Sequence, residues 1–315
     1  MKTRTAWIAW LLPLLLLGGC RKASAEREVR VVVSGPGRLA RAEGFALQLR
    51  SYGLPGVRVR VCDAGGDTRQ LVTCTRGPAA LLVTVGGIET RTAMEAGGST
   101  PLLFVGLAAT REWGYVASLK HPGGRASGVD NNYAELSGKR LELLRLALPG
   151  LRRAVVLYQP GVVPTPRGLA SLERAAAALG VELAYAPVRE PEDLADLEGV
   201  LAGSGAQAAL LLPSFVLENA LDRVVAATRA AGMPLVGLDR AQVRAGALLA
   251  YGASGEAMGR QAARMARQLL QGYPVALMPV ERPLEMRLSV NLTAARELGI
   301  ELDPRFLSLA QEVVR

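Results

Sequence analysis

The sequence predicts a doubly wound α/β protein of two lobes, and three observations lead to it. Short apolar runs of four to six residues alternate with helix-like segments along most of the chain, as expected for strands buried on both faces of a parallel sheet. The helix-like segments carry their own start and stop residues. The set occurs twice, on either side of Pro149-Gly150, in a chain of 315 residues, and a single core stops growing at roughly 250–300 residues.

The N-terminus is set aside before the fold is read. Lys2 and Arg4 precede an apolar run of 12 residues, Ala6 to Leu17, short of the ~20 residues that cross a membrane. The run ends in Leu17-Gly18-Gly19-Cys20, which resembles the bacterial lipoprotein signal. On that reading residues 1–20 are a signal peptide, and a lipidated Cys20 becomes the mature N-terminus; the alternative is an ordinary secretory signal with an incidental cysteine. Several acyl chains, at about 0.8 kcal/mol per buried CH₂, make a stable anchor. The polar segment 21–27, RKASAER, is a linker reaching about 25 Å at 3.3–3.6 Å per residue. The folded body therefore stays close to a membrane surface.

The first lobe opens with a strand at Val29–Val33 that runs into Gly35-Pro36-Gly37-Arg38-Leu39-Ala40. That is the G-x-G-x-x-A form of the dinucleotide fingerprint. Two features argue against NAD: the third glycine is Ala40, and the acid ending the second strand, Asp63, lies beyond the usual spacing of about 20 residues. What remains is a tight turn into a helix N-terminus, whose free N–H groups hold an anionic or polar ligand group. Further strands follow at Val57–Cys62, Ala80–Val85 and Pro101–Val105.

In the second lobe the strands read as Arg153–Tyr158, Glu182–Ala186, Ala208–Leu212, Leu235–Leu238 and Ala247–Tyr251. The helix between the first two starts near Pro166 and stops at Gly180, the residues that suit a first turn and a C-terminal stop. In the next helical segment, residues 190–203, Glu190, Glu192 and Asp193 lie at the positive end of the helix dipole.

Composition excludes several functions. Without Lys2 and Arg4 the chain keeps 35 basic against 28 acidic residues, but they are scattered and not interleaved with aromatics, so nucleic acid is not the partner. One histidine, His121 in a turn, and no C-x-x-C leave no zinc site, and no cofactor is expected. Cys62 and Cys74 are either a disulfide, which an export compartment permits, or two small buried thiols. An exported enzyme would need a nucleophile-base pair or paired acids in the cleft, and the G-x-S-x-G elbow is missing.

The stretch from Gly114 to Tyr158, with VASLKHPGGRASG, ELSGKRLELL and RRAVVLY, resembles the substrate-binding lipoproteins of ABC transporters in the ABC-sub-bind family, which includes receptors for aromatic amino acids. The tail from Pro279 to Val314 agrees, with a closing strand, an N-L-x-x-A-x-x-L-G helix and a final short helix. The resemblance implies the type I periplasmic-binding-protein fold, two Rossmann-like lobes around a ligand cleft joined by three crossings. By analogy these fall near Leu151, Gly252 and Val280, giving an N-terminal lobe of 28–151 plus 253–279 and a C-terminal lobe of 152–252 plus 280–315. The helix Glu256 to Gly272 then returns to the first lobe. It also implies a monomer on the outer side of a membrane that captures a small polar solute, an amino acid or related compound, and delivers it to an ABC permease and its ATPase without catalysis. A sensor of the same fold would use the same binding residues.

Ligands of open parallel sheets bind beyond the carboxyl ends of strands. The candidate contacts are Ser34 and Gly35; Thr84, Gly86 and Gly87; Gly106, Leu107 and Ala108; and Asp130 and Asn131, which alternatively cap the helix carrying Glu135 and Lys139. The second lobe offers Ser214, Phe215, Asp239 and Tyr251. Asp239 is either the acceptor for a ligand ammonium or the partner of Arg240 or Arg244. Trp113 either stacks on a ligand ring or packs beside Tyr115. Ala109 and Thr110 stand where family members often carry Asp-Pro.

Overall fold

A computed structural model describes residues 26–315; the signal peptide with Cys20, and Arg21–Ala25 of the linker, lie outside them. The first lobe is built on five parallel strands, β1 (Arg27–Val33), β2 (Val57–Asp63), β3 (Leu81–Thr84), β4 (Leu102–Leu107) and β5 (Ala126–Asp130), in the order β2-β1-β3-β4-β5. The second is built on β6 (Arg153–Tyr158), β7 (Glu182–Pro187), β8 (Ala208–Leu211), β9 (Leu235–Gly237) and β10 (Leu249–Gly252). They take the corresponding order, β7-β6-β8-β9-β10. Two more strands extend that sheet: β11 (Arg287–Asn291), antiparallel to β10, and β12 (Glu312–Val314), parallel to β11.

Alternation along β1 shows how each sheet buries both faces. Val29, Val31 and Val33 join the cluster containing Phe45 and Met258, and Val32 joins the one containing Leu71 and Phe104. Cys62 and Cys74 are bonded, tying β2 to the helix Thr68–Thr75 at a Cα separation of 5.7 Å. The helix expected from Pro166 spans Thr165–Leu179, and Gly180 ends it with a left-handed φ of 64°. Residues 190–203 are a 3-10 turn followed by a helix, opened by a reciprocal cap between Glu190 and Asp193.

The first crossing falls earlier than near Leu151. The helix Ser137–Ala147 packs against Thr165–Leu179, and its Leu141, Leu144 and Ala147 join the core beneath β6 and β8. The chain therefore changes lobe over residues 131–136. It returns after Gly252, where the helix Gly255–Leu270 packs against Leu39–Ser51. Glycine makes that contact possible, because a Cβ on Gly44 would stand 2.6 Å from the Glu256 carbonyl oxygen. Val280 still belongs to a first-lobe cluster, the Met278 carbonyl accepts from Ser127 Oγ, and Glu281 exchanges backbone hydrogen bonds with Gly128 and Asp130. The third crossing follows, before β11.

Two strands were not legible as apolar runs. In β5, Ala-Ser-Gly-Val-Asp offers little apolar surface, but Gly128 fits where a Cβ would overlap Phe104. The chain's end is a short helix, Pro304–Leu307, followed by β12 rather than by helix alone.

Candidate ligand cleft between the lobes

A cavity of about 190 Å³ lies between the lobes, at the carboxyl ends of β3, β4, β6 and β8. A cavity of ~150 Å³ holds benzene, so this one suits a single small molecule. Its first-lobe wall includes Gly86 to Ile88, Gly106 to Ala108, Trp113 and Asn131, and its second-lobe wall includes Val162, Pro164, Ser214 and Phe215. Of the expected residues, then, Gly86, Gly87, Gly106, Leu107, Ala108, Trp113, Asn131, Ser214 and Phe215 meet at one place.

The others do not line it. Thr84 gives its hydroxyl to a hydrogen bond with Thr90, 2.9 Å, and Ser34 Oγ accepts from Gly66 N–H. Gly35 faces Asn219 of the other lobe; a Cβ there would stand 2.7 Å from Asn219 Oδ1. The glycine turn that mimics a dinucleotide fingerprint is thus filled by the opposite lobe. Asp130 accepts from the Thr110 and Asn132 N–H groups, and Asn131 donates to the Gly106 carbonyl and accepts from Tyr133 N–H. Neither caps the following helix, which starts at Ser137. Tyr251 packs against the second-lobe core, and its carbonyl accepts from Arg140.

Asp239 pairs with neither Arg240 nor Arg244. Its carboxylate accepts from Tyr133 Oη at 3.0 Å and pairs with Arg41 of the first lobe at 3.3 Å. It also caps the helix Arg240–Arg244 through the Ala241 and Gln242 N–H groups. Arg240 and Arg244 pair with Glu312 instead. Asp239 is a cross-lobe latch, leaving Glu218 as the carboxylate on the cavity wall. Buried Arg140 supports the latch from behind, bonding the carbonyls of Tyr133, Leu238 and Tyr251. Burial lowers its pKa to about 10, against the pull of Tyr133 and Asp239.

Arg38 and Arg41 are the residues the sequence reading missed. They follow the glycine turn at helical spacing, yet single arginines in a basic chain carry no signal. Arg38 is only 4% exposed. It pairs with Glu218 at 3.6 Å and donates to Asn219 Oδ1 at 3.2 Å, both in the second lobe, and lies 5.0 Å over the Phe215 ring. Behind it, Glu89 accepts from Ser34 N–H, 2.9 Å, and stands 3.9 Å from Arg38. Burial pushes the Glu89 carboxyl up to about 7, with Arg38 and the Ser34 N–H opposing. Arg38 Nε and Glu89 Oε2 are both buried without a hydrogen-bond partner. Gly86 must be glycine here: with φ 115°, a Cβ would come 2.7 Å from Arg38 Nε.

Gly86 also opens the helix Gly87–Glu95, which has no side-chain cap. Its first N–H groups and the positive end of its dipole lie on the cavity wall beside Arg38. Trp113 bonds the Ala108 carbonyl through Nε1, stacks on Tyr115 at 5.6 Å and lines the cavity as well. Arg167 of the second lobe pairs with Glu112 of the first and with Glu135 in the crossing segment.

Two lobes of matched topology, three crossings and a cavity closed by contacts between them define a hinged solute-binding protein. Residues 27–314 match the family model described as ABC transporter substrate binding protein, and the chain belongs to that family. It is 23% identical over 202 residues to a tyrosine-binding protein of Clostridioides difficile. That match covers 64% of this chain and 57% of the relative's own length. Among solved structures, a conserved domain protein from Vibrio cholerae superposes with a TM-score of 0.83 at 20% identity, covering 91% of this chain and 99% of its own. An ABC domain from Streptococcus pneumonia in complex with L-Trp gives 0.83 at 19% identity, covering 92% and 100%.

Proposed function

We propose that this protein is the solute receptor of an ABC importer, takes an amino acid or closely related carboxylate by closure of its lobes, and delivers it to the permease and its ATPase. The observation that carries the reading is the uncapped start of Gly87–Glu95 on the cavity wall beside Arg38, which is paired with Glu218 of the opposite wall. A carboxylate accepts from the helix N–H groups and Arg38. An ammonium lies toward Glu218. Trp113, Phe215, Val162 and Pro164 cover an apolar or aromatic side chain. A relative named for tyrosine and a neighbour holding L-Trp support the same class of ligand.

Ligand contacts made by both lobes favour the closed state, which is the differential affinity closure requires. The protein works outside the cytoplasmic membrane and does no chemistry of its own. Among the described residues no helix is long and apolar enough to cross a membrane; attachment through a lipidated Cys20 is part of the proposal. Thermal unfolding against amino acids, dipeptides, sugars, nucleosides and NAD tests the reading. A ligand at about 100 times its Kd stabilises by roughly 2.7 kcal/mol, raising the midpoint by about 2–4 °C. A shift confined to amino acids and related carboxylates is expected; one confined to sugars or NAD would overturn it.

A further inference from the structure

The lobes differ in charge. Residues 26–131 with 255–282 carry 17 lysines and arginines against 11 acids, and residues 132–254 with 283–315 carry 16 against 17. The excess cation thus lies on the lobe whose first strand starts at Arg27, next to the linker. Exposed Arg50, Arg58, Arg60 and Arg76 gather around that start. Arg58 and Arg60 stand in register with Glu28 and Arg30 of β1; Arg50 donates to the Val59 carbonyl, and the Arg76 carbonyl accepts from Arg30. The nearby acids Glu26 and Glu28 pair with Arg58 and Arg30. Charged side chains that keep an edge strand from pairing account for Arg58 and Arg60. They do not account for Arg50 and Arg76, which lie off β2, or for the excess across the lobe.

We propose that this basic end of the first lobe rests on an anionic phospholipid surface and sets the orientation of the tethered receptor. The inference goes beyond solute capture and rests on Cys20 as the point of attachment. Segment 21–27 spans at most about 25 Å, so the tether permits the basic end to approach to the ~8–10 Å over which a charged surface acts. The second lobe, near neutral, adds no such attraction.

The test uses the mature chain with Cys20→Ser, so that no acyl chain contributes, sedimented with phosphatidylcholine vesicles with and without phosphatidylglycerol. One variant carries Arg50→Gln, Arg58→Gln, Arg60→Gln and Arg76→Gln. A control removes equal charge from exposed second-lobe sites, Arg152→Gln, Arg174→Gln, Arg223→Gln and Arg305→Gln. Unchanged thermal midpoints show both remain folded. Binding only to phosphatidylglycerol vesicles, falling with salt and weakened at least about tenfold in the first variant but little in the control, is the expected result. Equal weakening in both, or no preference for phosphatidylglycerol, would overturn the proposal. Mass analysis of the native N-terminus reads acylation separately, so failure of the anchor and failure of the lipid surface are distinguishable.

Discussion

The two lobes share one strand order, β2-β1-β3-β4-β5 and β7-β6-β8-β9-β10, yet they bring opposite charges to the cleft. The first supplies Arg38 and Arg41; the second supplies Glu218 and Asp239. Shared topology positions the strand ends around one cavity, and the difference in charge decides what holds them shut. Arg41–Asp239 is spent between the lobes, whereas Arg38 keeps an unpartnered Nε. Both arginines bridge the lobes, since Arg38 pairs with Glu218 and donates to Asn219; the proposed carboxylate contact falls to Arg38.

Breaking the latch should have the largest effect. Asp239→Ala leaves Arg41 buried without its carboxylate, and removing one partner of a buried pair costs about 3–5 kcal/mol. Urea unfolding should show that loss, and small-angle scattering a more open protein. Arg38→Gln should instead act on affinity. Losing a buried, charge-assisted contact costs about 2–5 kcal/mol, a weakening of roughly 30-fold to several thousand-fold, read by calorimetry. If Asp239→Ala lost affinity while leaving stability intact, the roles assigned to the two arginines would be reversed.

These roles show where sequence reading stops. Strand ends are legible because buried parallel strands are apolar runs, and glycine loops mark where they turn. Gly86, Gly106, Ser214 and Phe215, singled out on that ground, lie on the wall of one cavity. Partner choice is not legible, because it depends on which side chain the other lobe presents. Asp239 was expected to meet Arg240, Arg244 or a ligand, and it meets Arg41, 198 residues away. The first crossing was misplaced for a similar reason: Pro149-Gly150 marks the end of a helix, but the lobe changes at residues 131–136, where the sequence carries Asn131-Asn132 and no proline or glycine break.

Within the first lobe, Cys62→Ala with Cys74→Ala opens a loop with a sequence separation of 12. The expected cost is about 3 kcal/mol, visible as a lower thermal midpoint, with the solute cavity itself untouched. A smaller effect should follow pH. Glu89 has a folded pKa near 7 against an ordinary 4.5, so between those values the folded protein binds the extra proton. Its contribution is therefore full below about pH 4.5 and is lost as pH rises through 7. Glu89→Gln should flatten that slope; an unchanged slope would assign it to another group.

The most direct measurement is calorimetric titration of the protein and of Arg38→Gln with L-tyrosine and with tyramine, which lacks the carboxylate. L-tyrosine should bind the unaltered protein, tyramine should not, and Arg38→Gln should weaken L-tyrosine by roughly 30-fold or more. Equal binding of tyramine, or an Arg38→Gln protein that holds L-tyrosine undiminished, would contradict a carboxylate site built from Arg38 and the start of Gly87–Glu95.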